Sequence, residues 1–146
     1  MGNILALDIG SVRIGVAISD PLGIFAQGVG FLNAKGNWLE ELARLINEHD
    51  VSTIVVGLPV RTTGKQDREA NEIVALVEKL KKIFPDITFI LWDERYTTAM
   101  AQKFLRESNM SGEKRRSKVD MVAASLLLQS YLDFKNLSDD PRTTKT

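Results

Sequence analysis

Residues 4–10 read Ile4-Leu5-Ala6-Leu7-Asp8-Ile9-Gly10, a short and almost wholly apolar run that ends in glycine. Such a run is typical of a β-strand that is buried on both faces. Because side chains alternate along a strand, we expect Asp8 on the same face as Ile4 and Ala6. An unpaired buried carboxylate is costly, so Asp8 needs a cation, hydrogen-bond donors or an open end of the sheet. Either Asp8 is functional, or it is structural and caps the amides of the following loop.

Two more strands follow closely on the first. Residues 13–19 and 27–32 have strand-like patterns, and the turn sequence DPLG at 20–23 separates them. Three short strands with tight connections indicate an antiparallel meander.

From Trp38 onward the sequence alternates between helical and extended patterns. The predicted order is helix 38–46, strand 52–59, helix 70–84, strand 87–92, a short helix at 101–105 and a last helix from about 118 to 134. This alternation calls for parallel strands joined by right-handed crossovers. The sequence therefore predicts an α/β fold, with a mixed five-stranded sheet and helices on both faces.

The length of 146 residues suits one domain, and we expect it to span residues 1–137. Residues 138–146 are polar and are expected to form a disordered tail. The absence of cysteine excludes disulfides and thiolate metal sites. No signal peptide and no membrane-spanning run is recognisable, so a cytoplasmic protein is expected.

The charge balance argues neither strongly for nor strongly against nucleic acid as a partner. Lys and Arg number 19, as do Asp and Glu, which gives a net charge of +0. Nucleic-acid binders often carry a basic excess. However, residues 114–118 (KRRSK) place four cations in five positions, and such a local patch is enough to contact phosphates.

Further acids stand at the ends of other predicted elements. Asp93 and Glu94 end the last strand, and since adjacent residues face opposite ways, only one of them can share the face of Asp8. Ligands of parallel sheets gather at the carboxyl ends of the strands, where these acids would lie. Asp120 opens the last helix, and with Ser117 as N-cap it matches a capping box. The structural alternatives are an exposed turn and a helix cap.

The residue types favour metal chemistry that uses acids alone. Mg²⁺ binds carboxylate oxygens and keeps several waters, and two such ions roughly 3.5–4 Å apart stabilise both the attacking and leaving oxygens of a phosphodiester. The chain has one histidine, His49, and no cysteine, so it has little material for zinc hydrolysis or for Cys or Ser–His catalysis.

Four segments resemble, in the same order, the motifs of the YqgF family. Residues 7–17 (LDIGSVRIGVA) resemble its D-x-G-x-x-R-I-G-V-A opening, and 56–59 (VGLP), with Gly64 downstream, resemble its V-G-L-P segment. Residues 93–98 (DERYTT) and 118–124 (KVDMVAA) resemble its D-E-R-[LYF]-[ST]-T segment and its K-x-D-x-x-A-A helix. The loop after Pro59 lacks an acidic residue that the family often has, which concerns substrate contacts rather than metal ligands.

The resemblance implies an RNase H-like hydrolase, a metal-dependent nuclease that matures the 5′ end of precursor 16S rRNA. The alternative within the family is a Holliday-junction resolvase of DNA recombination and repair. The catalytic, metal-binding acids map onto Asp8, Glu94 and Asp120, with Mg²⁺ or Mn²⁺ as the cofactor. Precursor rRNA or branched DNA and the pre-ribosomal particle are the expected partners of a monomer or homodimer. We expect phosphate contacts, with ordinary surface charge as the alternative, from Arg13, Arg95, Lys114, Arg115, Arg116 and Lys118.

Two other classes of protein are compatible with parts of this pattern. Residues 8–11 (DIGS) also resemble the first phosphate motif of the actin, Hsp70 and sugar-kinase superfamily. Those proteins clasp ATP between two such domains, whereas this chain has the length of one. The other class is a non-catalytic protein that binds rRNA precursors or junctions, because the acids alone indicate capacity and not turnover.

Overall fold

The strands form one mixed sheet with helices on both faces. The computed structural model describes residues 2–59, 64–94 and 112–139, with side chains for 2–59, 68–94 and 122–137. The elements are β1 (Asn3–Ile9), β2 (Arg13–Ser19), β3 (Ala26–Asn33), α1 (Trp38–Glu48), β4 (Val51–Leu58), α2 (Gly64–Ile83), β5 (Thr88–Asp93) and α3 (Gly112–Asp139). The strand order is β3-β2-β1-β4-β5. The pairs β1–β2 and β2–β3 are antiparallel, whereas β1–β4 and β4–β5 are parallel, which confirms the predicted fold.

The central strand β1 is buried on both faces, as its composition predicts. Leu5 and Leu7 belong to one apolar cluster, in which the sheet packs against α1 and α2 through Leu42, Ile73 and Val77. Ala6 belongs to the second cluster, on the face that α3 covers. The other buried members of that cluster are Ala17, Val55, Ala124, Leu127, Leu128 and Leu132. Alternation along β1 therefore places Asp8 on the α3 face.

Two predicted helices differ from the structure in detail. The helix predicted at 70–84 spans Gly64–Ile83. Its buried stripe is formed by Ile73, Val77 and Leu80, whereas Val74 is 39% exposed. The last helix begins at Gly112 rather than near Lys118. Residues 113–118 are mostly Glu, Lys and Arg, which are good helix formers, and they extend the helix toward the N-terminus.

The early start of α3 overturns the predicted helix cap. Residues 114–116 already belong to the helix, so Ser117 is not its N-cap, and the capping box with Asp120 was wrong. The helix also continues through Asp139, two residues into the predicted tail. Residues 140–146, the predicted short helix at 101–105 and most of the loop after Pro59 lie outside the described residues. In the part of the chain that is described, no helix is long and apolar enough to cross a membrane.

Hydrogen bonds to the β2–β3 turn fix the direction of α3. The Gln129 side chain accepts a hydrogen bond from the Ala26 N–H (2.8 Å) and donates one to the Ile24 carbonyl (2.8 Å). Asn136 donates to the Gly23 carbonyl at 3.0 Å. This turn lies at the amino end of β1, because β2 runs antiparallel to β1. The α3 helix therefore runs from the carboxyl end of β1 toward its amino end.

We predict that Gln129→Ala lowers the free energy of unfolding by about 1–3 kcal/mol, because it leaves the half-buried N–H of Ala26 and the exposed carbonyl of Ile24 without their side-chain partner. Thermal unfolding would measure the loss. Asn136→Ala, which removes one exposed hydrogen bond, is the control and is expected to lose less than about 1 kcal/mol. Equal losses in the two variants would contradict the anchoring role of Gln129.

Candidate active site

Two acids from distant parts of the sequence meet at the carboxyl end of the sheet. Asp8 is the penultimate residue of β1, and Glu94 directly follows β5. Their side chains share a hydrogen bond. Asp8 therefore has an acid from across the sheet as a partner.

Gly57 makes this meeting possible. It lies on β4, between β1 and β5, and a Cβ added there would stand 3.0 Å from Cγ and 3.1 Å from Oε1 of Glu94. The same Cβ would lie 3.2 Å from Cδ2 of Leu127 in α3. The Glu94 side chain thus crosses the bare backbone of Gly57 to reach Asp8, and a larger residue would push it away. An isolated glycine in a strand often marks such a close approach.

The two adjacent acids at the end of β5 lie on different faces of the sheet. Ile90 and Trp92 pack into the cluster on the α3 face. Asp93, one residue further along, pairs with Leu58 and faces the other way by alternation. Glu94 contacts Gly57 and hydrogen-bonds to Asp8, so it is the acid that shares the face of Asp8. The sequence alone left this choice open.

Two contacts to α3 hold the end of β5 in place. The indole N–H of Trp92 donates a hydrogen bond to Oγ of Ser130 at 2.7 Å. The indole ring also meets Tyr131 edge-on, with centroids 5.3 Å apart. Trp92 precedes Glu94 by two residues, so these contacts restrict the position of the backbone that carries Glu94.

The electrostatics of the pair favour a positive charge between the two acids. Burial raises the pKa of Asp8 above its ordinary value, and the smaller effect of the hydrogen bond with Glu94 lowers it. Two carboxyl groups in contact share a proton or need a cation, since like charges at this distance repel. Hard divalent cations prefer carboxylate oxygens, so this donor set fits Mg²⁺ or Mn²⁺.

The structure describes the remaining predicted site residues to different extents. Arg13 opens β2 at the carboxyl end of β1, and its guanidinium lies 5.2 Å from the ring centroid of Phe31. Arg95 lies outside the described residues. Within the described residues no group of three potential metal ligands occurs. Backbone but not side-chain positions in α3 are described for Lys114, Arg115, Arg116, Lys118 and Asp120.

A five-stranded mixed sheet with paired acids at the carboxyl ends of its strands is compatible with a nuclease of the resolvase type, and comparison with known proteins supports that class. The family model of the RuvX Holliday junction resolvases matches residues 2–134. The chain therefore belongs to this family and is a hydrolase of phosphodiester bonds, which confirms the YqgF resemblance.

Relatives from bacteria match nearly the whole chain. A protein of Fusobacterium nucleatum named "Putative pre-16S rRNA nuclease" is 42% identical over 137 residues, covering 92% of this chain and 99% of its own. A protein of the same name from Clostridioides difficile is 40% identical over 136 residues, with 92% and 96% covered.

Solved resolvase structures share the fold at low sequence identity. The fowlpox virus resolvase, in complex with Holliday junction DNA, has a TM-score of 0.54 at 16% identity, and the alignment covers 91% of this chain and 98% of that one. Thermus thermophilus RuvC, also with a Holliday junction substrate, has a TM-score of 0.57 at 9% identity, with 92% and 97% covered. These likenesses confirm the RNase H-like architecture.

We predict that Asp8→Asn stabilises the metal-free protein at neutral pH. Because burial raises the pKa of Asp8, the folded state binds this proton more tightly than the unfolded state does. The wild type therefore loses stability as the pH rises through the folded pKa, whereas an amide loses none. Thermal unfolding in EDTA should show the variant gaining over the wild type as the pH rises above about 4, the ordinary pKa of an aspartate.

Asp86→Asn is the control for this measurement, because Asp86 is exposed and lies away from the site. It should melt like the wild type at neutral pH. A lower melting temperature for Asp8→Asn than for the wild type at neutral pH would contradict the destabilisation that we assign to the buried charge of Asp8.

Proposed function

We propose that this chain is a divalent-metal-dependent nuclease that acts on the 5′ region of precursor 16S rRNA, with Asp8, Glu94 and Asp120 as catalytic acids. The observation that carries the proposal is the contact of Asp8 with Glu94 across Gly57. The substrate rests on relatives that bear this name and match along almost their full length. Such a substrate would place the enzyme in the cytoplasm, with the pre-ribosomal particle as its partner.

The course of α3 supports Asp120 as the third acid. Leu127 lies at the level of Gly57, and the helix runs from the carboxyl end of β1 toward the amino end. The turns before Leu127 therefore extend toward the end of the sheet that carries Asp8 and Glu94. Asp120 precedes Ala124 by four residues and Leu127 by seven, a spacing that repeats on one face of a helix.

Each described residue of the site has a separate task in this proposal. Asp8 and Glu94 would hold Mg²⁺ or Mn²⁺, with Asp120 completing the set. The bound ion would neutralise phosphate charge and lower the pKa of a water molecule. Gly57 leaves the space in which the carboxylates converge, and the Trp92–Ser130 hydrogen bond restricts Glu94. Arg13 would bind a backbone phosphate, as would Arg95, Lys118 and residues 114–116.

Holliday-junction resolution is the second candidate, because the family model carries that description and two structural neighbours are complexes with junction DNA. Resolution of a junction needs two symmetric cuts and hence a dimer, whereas trimming of an RNA end does not. Sedimentation of the protein with each substrate therefore separates the two candidates, together with cleavage of a precursor RNA and a four-way junction of matched length.

We predict that Asp8→Asn and Glu94→Gln each reduce cleavage at least about 100-fold, because even outer-shell partners of a metal contribute 10- to 100-fold. Asp93→Asn is the matched control, since it alters the neighbouring acid on the opposite face, and it should keep activity within a few-fold of the wild type. Single-turnover cleavage with Mg²⁺ or Mn²⁺ measures all three. Wild-type cleavage by Asp8→Asn would refute the assignment and favour a non-catalytic role.

We also predict that Mg²⁺ or Mn²⁺ raises the melting temperature of the wild type, because a ligand that binds only the folded state stabilises it by about 2.7 kcal/mol at 100 times its Kd. Asp8→Asn should show a much smaller rise, and Asp93→Asn a rise like that of the wild type. Thermal unfolding with and without EDTA tests this independently of any nucleic acid. Equal rises in all three proteins would exclude Asp8 as a ligand.

A further inference from the structure

One row of residues extends from Asp8 across the sheet to its far edge. Asp8 pairs with Gly15 on β2, and Gly15 pairs with Phe31 on β3. Gly15 has no side chain, so no side chain of β2 separates Phe31 from Asp8 in this row. Two strand spacings place their backbones about 10 Å apart. Phe31 is 44% exposed, so part of its side chain is open to solvent.

A β-bulge turns Phe31 toward this face of the sheet. Val16 pairs with Gly30, but the next residue, Ala17, pairs with Gly28, so Val29 is an extra residue on β3. Gly30 has a φ of +142°, a conformation that favours glycine. Without the extra residue, alternation from Gly28 would turn Phe31 to the opposite face, toward the α1 and α2 helices. Bulges often redirect a side chain beside an active site.

The Phe31 ring contacts a candidate phosphate-binding residue. The guanidinium of Arg13 lies over the ring, 5.2 Å from its centroid, in the range of a cation–π interaction. A cation–π contact uses the face of a guanidinium, whereas its N–H groups lie in the plane, which is the direction in which arginine binds phosphate oxygens. A long arginine side chain that stacks on a ring also loses less freedom when it binds an anion.

We propose that Phe31 is a positioning residue that holds the Arg13 guanidinium beside the acid pair, where it binds a substrate phosphate next to the cleaved bond. The inference rests on the proposed nuclease function and extends it. In this proposal the substrate strand extends from the acids across Gly15 toward β3. The bulge at Val29 and Gly30 is the structural device that places the ring there.

Binding of a single-stranded RNA from the precursor 5′ region tests this role, in an Asp8→Asn background that keeps the RNA intact. Phe31→Leu should weaken binding about 2- to 5-fold, the size of a partly exposed cation–π interaction. Phe31→Tyr, which keeps a ring, should restore it. Phe25→Leu is the matched control, because Phe25 is also an exposed phenylalanine but precedes β3 in the turn at the opposite end of the sheet from the acids, and it should bind like its parent.

The double variant with Arg13→Gln separates positioning from direct contact. Arg13→Gln alone should weaken binding and make the dependence of log K on log salt shallower by about 0.7, the value for one phosphate on a single strand. Adding Phe31→Leu to Arg13→Gln should then change nothing further. A full additional loss would show that Phe31 touches a base directly, and parent-like binding by Phe31→Leu would remove its role. Either result overturns the proposal.

Failure of the positioning role of Phe31 can be told apart from failure of the nuclease assignment. Cleavage by the protein with native Asp8 tests the nuclease, whereas the Phe31 and Arg13 variants are read out by binding alone. If cleavage is lost with Asp8→Asn but Phe31→Leu binds like its parent, the nuclease stands and the positioning role falls. Unfolding curves for Phe31→Leu and Phe31→Tyr should coincide within about 1 kcal/mol, which excludes a general loss of structure.

Discussion

The contact between Asp8 and Glu94 is the constraint on which the rest of the structure depends. Two carboxyl groups that touch in a mostly buried place oppose folding, because burial disfavours their charged forms and their charges repel. The surrounding fold must therefore hold them together. Leu5, Ala6 and Leu7, which precede Asp8 on β1, are each 0% exposed, so this strand is fixed from both faces. Functional sites often lower the stability of the folded protein in this way.

Small residues on the α3 face set the distance at which the acids meet. Ala6, Ala17 and Ala124 line the contact between the sheet and α3, and short side chains let a helix approach a sheet closely. Leu127 thereby comes within contact of Gly57, and Trp92 comes within hydrogen-bond distance of Ser130. The position of Glu94 thus depends on a helix that is far from it in sequence.

The sequence predicts those features that follow from local pattern. The doubly buried strand, the mixed sheet and the face of Asp8 all follow from apolar runs and alternation, and the structure confirms them. The choice between Asp93 and Glu94 does not follow, because it depends on Gly57 from another strand. The capping box was wrong because a local pattern of Ser117 and Asp120 says nothing about the good helix formers that precede it. Phe31 was missed because a bulge shifts the alternation by one residue, and Gly30 was its only signal.

The balance of charge explains why the arrangement of a few residues matters in this chain. The net charge is +0, so a general attraction to phosphates is weak, and the paired acids repel a phosphate when they are ionised. Binding must then come from cations held at particular places, of which Arg13 is the one with a described side chain beside the acids. A cation that is loosely held gains little from one phosphate, since ordering its side chain offsets the contact. In a nuclease without net charge, an uncharged ring such as Phe31 therefore affects the affinity for nucleic acid by holding the Arg13 guanidinium in place.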